Sequence, residues 1–295
     1  MIKQRIRHAG AFVSNAMNGP GTIVHGQRQM VAMNEQIMRA SIDLAHQQLV
    51  TSPRYADPKR LLAYGYKGYS QGDEDGIIDE IFRRIGTTNR SFVEFGVGNG
   101  LENNTAALLL GGWSGAWIDG SDRDVAQLRQ TFAQQLREQH LRVQCAFITA
   151  ENIEALFDEL GVPAEPDLVS IDIDNNDYWI WRALTRHRPR VVVIEYNPAY
   201  GRTARCVLTY RPDRTWGQTS YQGASLSALE ALGREKGYSL VGCGYQGTNA
   251  FFVRDDTLGN HFCTPYTTAN HYEPARYWYA WYGGHGAGWG DIEQV

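Results

Sequence analysis

The chain has 295 residues, 43% of them hydrophobic, and a formal net charge of −4. That length predicts one large domain or one and a half, and the mild acidity argues against a nucleic-acid or anionic-membrane partner. The four cysteines, Cys145, Cys206, Cys243 and Cys263, form no C-x-x-C pair, which argues against a zinc ribbon and suits reduced thiols in a cytoplasm. No run approaches the roughly 18 apolar residues of a membrane helix. The start is basic with only the short apolar run Ala11–Val13, which speaks against a signal peptide.

Taken in chain order, residues 29–50 carry Met30, Met33, Ile37, Met38, Ile42 and Leu49 at steps of three and four, the pattern of an amphipathic helix. The two prolines of "TSPRYADPKR" break it. A second helix follows Asp73, with the stripe Ile77, Ile78, Ile81, Phe82 and Ile85 and a cap at Gly86. From there strands and helices alternate. Strands are predicted at 91–95, 114–119, 141–148, 166–173 and 190–196. The helices between them start at 104, after Ser121, near Ile153 and at 177. Such alternation predicts a parallel sheet with helices on both faces. After residue 200 a long polar loop precedes a helix marked by Leu226, Leu229 and Leu232. Residues 238–254 then read as two strands around a Gly-rich turn. The tail has no clear period.

The motifs lie at the carboxyl ends of the strands, where open α/β sheets bind ligands. "SFVEFGVGNG" sets Glu94 two residues before Gly96, Gly98 and Gly100. A dinucleotide turn has the spacing G-x-G-x-x-G, and a carboxylate beside it would repel a pyrophosphate. Glu94 suits a cationic cofactor, although a plain strand-to-helix turn with an incidental Glu has the same pattern. Asp119 closes the second strand, where an acidic residue accepts bonds from ribose hydroxyls; a helix-start role is its alternative. "DLVSIDIDNNDYW" brings Asp172, Asp174 and Asp177 to the end of the fourth strand, and "VVVIEYNP" brings Glu195 and Asn197 to the end of the fifth. Oxygen ligands gathered in this way suit Mg²⁺; otherwise they face an amine, solvent or a substrate hydroxyl. Absence of a G-x-S-x-G elbow or a Walker sequence excludes the common hydrolase and P-loop readings.

The E-x-G-x-G-x-G turn resembles motif I of the class I methyltransferases. That resemblance implies S-adenosylmethionine, with Glu94 at its methionine end, Gly96, Gly98 and Gly100 along it, and Asp119 on the ribose. Glu151 or Asn152 then lies near the adenine amine. The acids after the fourth and fifth strands resemble those of metal-dependent O-methyltransferases, which implies Asp172, Glu195 and Asn197 as Mg²⁺ ligands, with Asp174 in reserve; Tyr196 departs from that pattern. "YSQGDEDGIIDEIF", "FVEFGVGNGLENNT", "WSGAWIDGS" and "SIDIDNNDYWIWRAL" resemble the FkbM-like methyltransferases over roughly residues 65 to 255. Those act on hydroxyls of natural products and surface polysaccharides. In that likeness Gln71 folds over the methionine moiety, unless it belongs only to a helix cap. Asp119, Ser170 and Asn175 or Asn176 depart from the group's usual Glu, Lys and Gly.

The expected fold is therefore α/β, a doubly wound, mostly parallel seven-stranded sheet of the Rossmann-like class I methyltransferase kind with an N-terminal helical extension. Residues 1–70 form the extension or lid, 71–256 the core, and 257–295 an aromatic tail packed on it. The expected function is O-methylation of a natural product or sugar, with Asp174 or His271 as base and Asp172 also beside the cofactor. The acceptor is a small molecule, neutral or anionic, and Arg202, Arg205, Arg211 and Arg214 lie on its side of the sheet. Arg182, Arg186, Arg188 and Arg190 are expected on a solvated surface. Tyr272, Tyr277, Trp278, Tyr279, Trp281 and Tyr282 form a stacking wall or bury the tail, which also carries His261 and His285. A cytoplasmic homo-oligomer without nucleic-acid or membrane partners is expected. An NAD-dependent oxidoreductase and a non-catalytic scaffold are the rival classes.

Overall fold

A computed structural model describes residues 20–276 and 292–294. It divides into two compact units, residues 1–53 and 54–295. The first contains the helix Pro20–Val50, nine residues longer at its start than the apolar stripe indicates. Met30, Met33 and Ile37 on that stripe are each 58% exposed. The boundary falls after Pro53 rather than at residue 70, because residues 54–70 belong to the second unit. There Tyr55, Leu61 and Leu62 are buried, and Gly68, Tyr69 and Ser70 donate their backbone N–H groups to the Asp75 carboxylate.

The second unit is built on a seven-stranded sheet. Its strands are β1 (Ser91–Phe95), β2 (Ser114–Asp119), β3 (Leu141–Cys145), β4 (Leu168–Ile171), β5 (Val191–Glu195), β7 (Tyr238–Cys243) and β8 (Asn249–Arg254), with β6 (Cys206–Leu208) and β9 (Ile292–Gln294) paired apart from it. The order is β3-β2-β1-β4-β5-β8-β7. β1 to β5 run parallel, and β8 is antiparallel to both of its neighbours. Parallel strands covered on both faces need apolar side chains on both, and Val191, Val192, Val193 and Ile194 are all fully buried. One face packs Phe92, Leu168, Val193 and Phe251 against Ile77, Ile78 and Ile81 of the helix Glu74–Ile85. The other packs Val93, Val169, Val192 and Phe252 against Trp181, Leu229 and Leu232.

The amino ends of the strands are held by a buried ion pair. Asp167 accepts backbone bonds from Thr88, Asn89 and Arg90 and a guanidinium bond from Arg190 at 2.8 Å. Arg190 also donates to the carbonyls of Ile85 and Gly86, the end of the Glu74–Ile85 helix. It is buried, not part of a solvated basic surface. The strand pair β6–β9 was not legible in the polar loop, because three residues are too few for a periodic pattern.

Candidate active site

At the opposite end of the sheet, a cavity of about 710 Å³ opens over the carboxyl ends of β1, β2, β4 and β5. The turn after β1 forms one wall, and its three glycines have separate reasons. Gly96 (φ 78°) passes so close to the end of β4 that a Cβ there would overlap the Asp172 carbonyl oxygen. Gly98 (φ 53°) has open space on its Cβ side and lines the cavity. Gly100 (φ 78°) would press a Cβ to 3.0 Å from Phe132 and Trp117, so it sets helix-to-sheet packing and does not line the cavity.

Glu94 lies behind this turn. It is 3% exposed and accepts bonds from the Asn104 and Thr105 N–H groups (2.8 and 2.9 Å), the Thr105 hydroxyl (2.6 Å) and the Ser170 hydroxyl (3.3 Å). These donors occupy both carboxylate oxygens, and Glu94 is not among the lining residues. Its work is to satisfy the orphan donors at the start of the short helix Ala106–Leu110, not to meet a cofactor's methionine end. Burial nevertheless raises its pKa to about 7.

Asp119 does face the cavity. It accepts from Gly98 N–H (2.7 Å) and Ser121 N–H (2.8 Å), which joins the glycine turn to the following helix. Each bond uses one lone pair, so each oxygen keeps acceptor capacity for a hydroxyl. Beyond β3 the wall is Ala146, Phe147 and Ile148. Glu151 and Asn152 are not part of it. Glu151 accepts from the Tyr210 hydroxyl at 2.6 Å, and Asn152 bridges Thr149 N–H and the Phe147 carbonyl. Gln71 lines the cavity, and its carbonyl accepts from Gln246 Nε2. The acids beside it have structural partners: Asp73 accepts from Tyr245 N–H, and Glu74 from Gly72 N–H and Asn249 Nδ2.

The centre of the cavity is acidic. Sheet register places Asp172 and Glu195 side by side, one step past the Ile171–Ile194 pair. Oxygens of Asp172, Asp174 and Glu195 lie within 4.8 Å of one another. Asp174 has φ 68° and sits at the apex of a turn in which Asn175 N–H donates to the Ile173 carbonyl at 2.9 Å. Such three-residue turns with positive φ are rare and strained. Strain of this kind clusters at functional sites. Burial, then the neighbouring Asp174 and Asp177, pushes the Asp172 carboxyl well above its usual range. Burial and then Asp172 do the same to Glu195. Gln222 Nε2 donates to Glu195 at 3.3 Å, leaving its own carbonyl oxygen buried without a partner.

Asn197 is not in this group. Its amide donates to the Ser220 and Gln222 carbonyls and accepts from Ala199 N–H, which caps the turn Pro198–Tyr200. Asp174 stands in its place. His271 is 3% exposed, hydrogen-bonds through Nε2 to the Cys263 carbonyl, and has its pKa pushed down to about 4 by burial. It does not line the cavity, so it cannot act as base there. His285 and the aromatic residues Tyr277, Trp278, Tyr279, Trp281 and Tyr282 lie outside the described residues.

The strand order, with its single antiparallel strand inserted beside β5, decides the fold. This is the class I methyltransferase fold. No family model and no curated protein matches the chain. Similar solved structures include an S-adenosylmethionine-dependent methyltransferase from Clostridium acetobutylicum (11% identity, 64% of this chain and 92% of that one, TM-score 0.42). Another is the N-terminal domain of EvdMO1 with SAH bound (14%, 73% and 94%, TM-score 0.40). A third is magnesium protoporphyrin IX methyltransferase from Synechocystis PCC 6803, also with SAH (13%, 62% and 82%, TM-score 0.42).

Proposed function

We propose that the chain is an S-adenosylmethionine-dependent O-methyltransferase acting on a hydroxyl of a natural product or sugar. One observation carries the reading: the glycine turn, the free acceptor capacity of Asp119 and the three acids Asp172, Asp174 and Glu195 open into one cavity. Asp119 would hold the cofactor's ribose, Gly96 and Gly98 would let it approach the backbone, Phe147 and Ile148 would pack against its adenine, and Gln71 would cover its methionine end. A cationic sulfonium suits a cavity with this many carboxylates. A dinucleotide's pyrophosphate does not, which disfavours the oxidoreductase alternative, and the strained Asp174 at the cavity's centre disfavours an inert scaffold.

In transfer the acceptor oxygen attacks the methyl carbon in line with sulfur. The C–O bond forms, the C–S bond breaks and its electron pair stays on sulfur. Where no ion is held, the hydroxyl proton passes to Asp174. Holding both partners in line supplies most of the acceleration. The all-oxygen donor set of Asp172, Asp174 and Glu195 fits Mg²⁺. When bound, such an ion acidifies a hydroxyl as a Lewis acid.

Native mass spectrometry with SAH and NADH, one at a time, tests the cofactor. SAH retained and NADH rejected is the expected outcome, and the reverse sinks the proposal. Activity in excess EDTA, with and without Mg²⁺ restored, tests the cation. Undiminished turnover would leave the three acids as base and hydrogen-bond acceptors only.

A further inference from the structure

The loop after β6 brings Arg214, Thr215 and Trp216 to the cavity wall. It is tied down at several points: Tyr210 Oη accepts from Ala150 N–H, Trp179 Nε1 donates to the Leu208 carbonyl, and Asn176 Nδ2 donates to the Arg211 carbonyl. That same carbonyl accepts from Arg214 N–H at 3.1 Å. The turn carrying Arg214 is thus fastened to the segment that bears Asp172 and Asp174. Arg214 lines the cavity together with Thr215 and Trp216. It is the one cation among the described lining residues, where every other charge is a carboxylate.

Its guanidinium lies over the Tyr221 ring at 5.6 Å. Nη1 is sealed from solvent and has no hydrogen-bond partner. Among the described residues no ion pair includes it. Guanidinium matches carboxylate and phosphate oxygens in a two-pronged geometry. Four carboxylates would repel a free anion from the rest of the cavity, so an anionic group is accepted here and only its hydroxyl end can approach the acids. Resting on the methyltransferase reading, we infer that the acceptor is an anionic hydroxy compound, whose carboxylate or phosphate is held by Arg214 while its hydroxyl faces Asp174.

The test uses the full chain saturated with SAH, with inorganic phosphate and glucuronate as probes and glucose as the neutral counterpart, measured by calorimetry. Wild type is expected to bind both anions and to prefer glucuronate to glucose. Arg214→Met should lose about tenfold or more of the anion affinity, the loss of one charge-assisted bond, while its unfolding midpoint and SAH affinity hold. Arg214→Lys should fall between, keeping charge without the fork. Four results overturn the inference: no anion binding to wild type, glucose bound as well as glucuronate, anion binding that survives in Arg214→Met, or SAH affinity falling in that variant. The last would assign Arg214 to the cofactor's carboxylate. Failure of wild type to bind SAH is a separate result that removes the methyltransferase reading itself.

Discussion

Asp172 and Glu195 illustrate how a single position can carry opposite demands. Burial holds both acids above the usual carboxylate range, helped by Asp174 and Asp177 at Asp172 and by Asp172 at Glu195. A cation binds the ionised forms, so its binding releases protons. The sign follows: with folded pKa values raised, low pH favours the protonated acids and weakens the cation, and affinity climbs as pH rises. Mn²⁺ binding followed by electron paramagnetic resonance should strengthen as pH rises above the usual carboxylate range. Asp172→Asn should flatten that dependence, since one titrating partner is gone, and lower turnover roughly 10²–10³-fold with a much smaller loss of SAH affinity. A pH-independent affinity in wild type would show that these acids do not hold the ion.

The turn joining β1 to the Ala106–Leu110 helix is the element on which the cofactor reading rests, and its residues separate fold from function. Gly96→Ala drives a methyl into the Asp172 carbonyl and should cost about 3 kcal/mol or more of stability, through backbone that cannot move aside. Gly98→Ala meets no atom. It should cost about 1 kcal/mol for its positive φ, while its methyl enters the cavity and weakens SAH. Glu94→Gln keeps the shape but turns an NH₂ towards donors. It should lower stability by roughly 2–3 kcal/mol and leave SAH affinity nearly unchanged. Urea unfolding and calorimetry on the three variants give the comparison. If Glu94→Gln lost SAH affinity at unchanged stability, Glu94 would return to the cofactor.

Across the whole molecule, most of the apolar surface is accounted for inside the second unit. On the helix Pro20–Val50, Met30, Met33, Ile37 and Leu44 recur at three-, four- and seven-residue steps and stay exposed, whereas the exposed Leu101, Leu110 and Phe147 of the second unit follow no such spacing. Contiguous exposed apolar surface marks an interaction site, and this spacing is that of a helix pairing with another copy. Light scattering should give a mass that is a multiple of the monomer, and Met33→Glu with Ile37→Glu should return it to the monomer without changing SAH binding. A monomeric wild type would refute this. No helix among the described residues is long and apolar enough to cross a membrane.

The order of strands and helices, the Gly86 and Ser121 caps, and the hairpin at 238–254 were legible because each rests on local periodicity or on a turn residue with a fixed conformational requirement. That Asp119, Gly96 and Gly98 reach the cavity wall was legible for the same reason, since the backbone after a strand admits few alternatives, whereas Gly100 packs against Phe132 and Trp117 instead. What partners a polar side chain has is decided by distant residues, and there tertiary structure overruled the local pattern. Glu94 stands in a cofactor motif, yet Asn104, Thr105 and Ser170 take its oxygens. Asn197 and His271 have ligand chemistry but are enclosed by carbonyls. Asn152 stabilises its own turn. Conversely, Asp174 gained its place beside Glu195 through a strained turn, and Arg214 through a loop fastened across the sheet's end. Sequence spacing thus determined which strand end each residue occupies; only packing in three dimensions decided which oxygens were left for a ligand, because a buried polar atom takes the nearest partner the fold supplies.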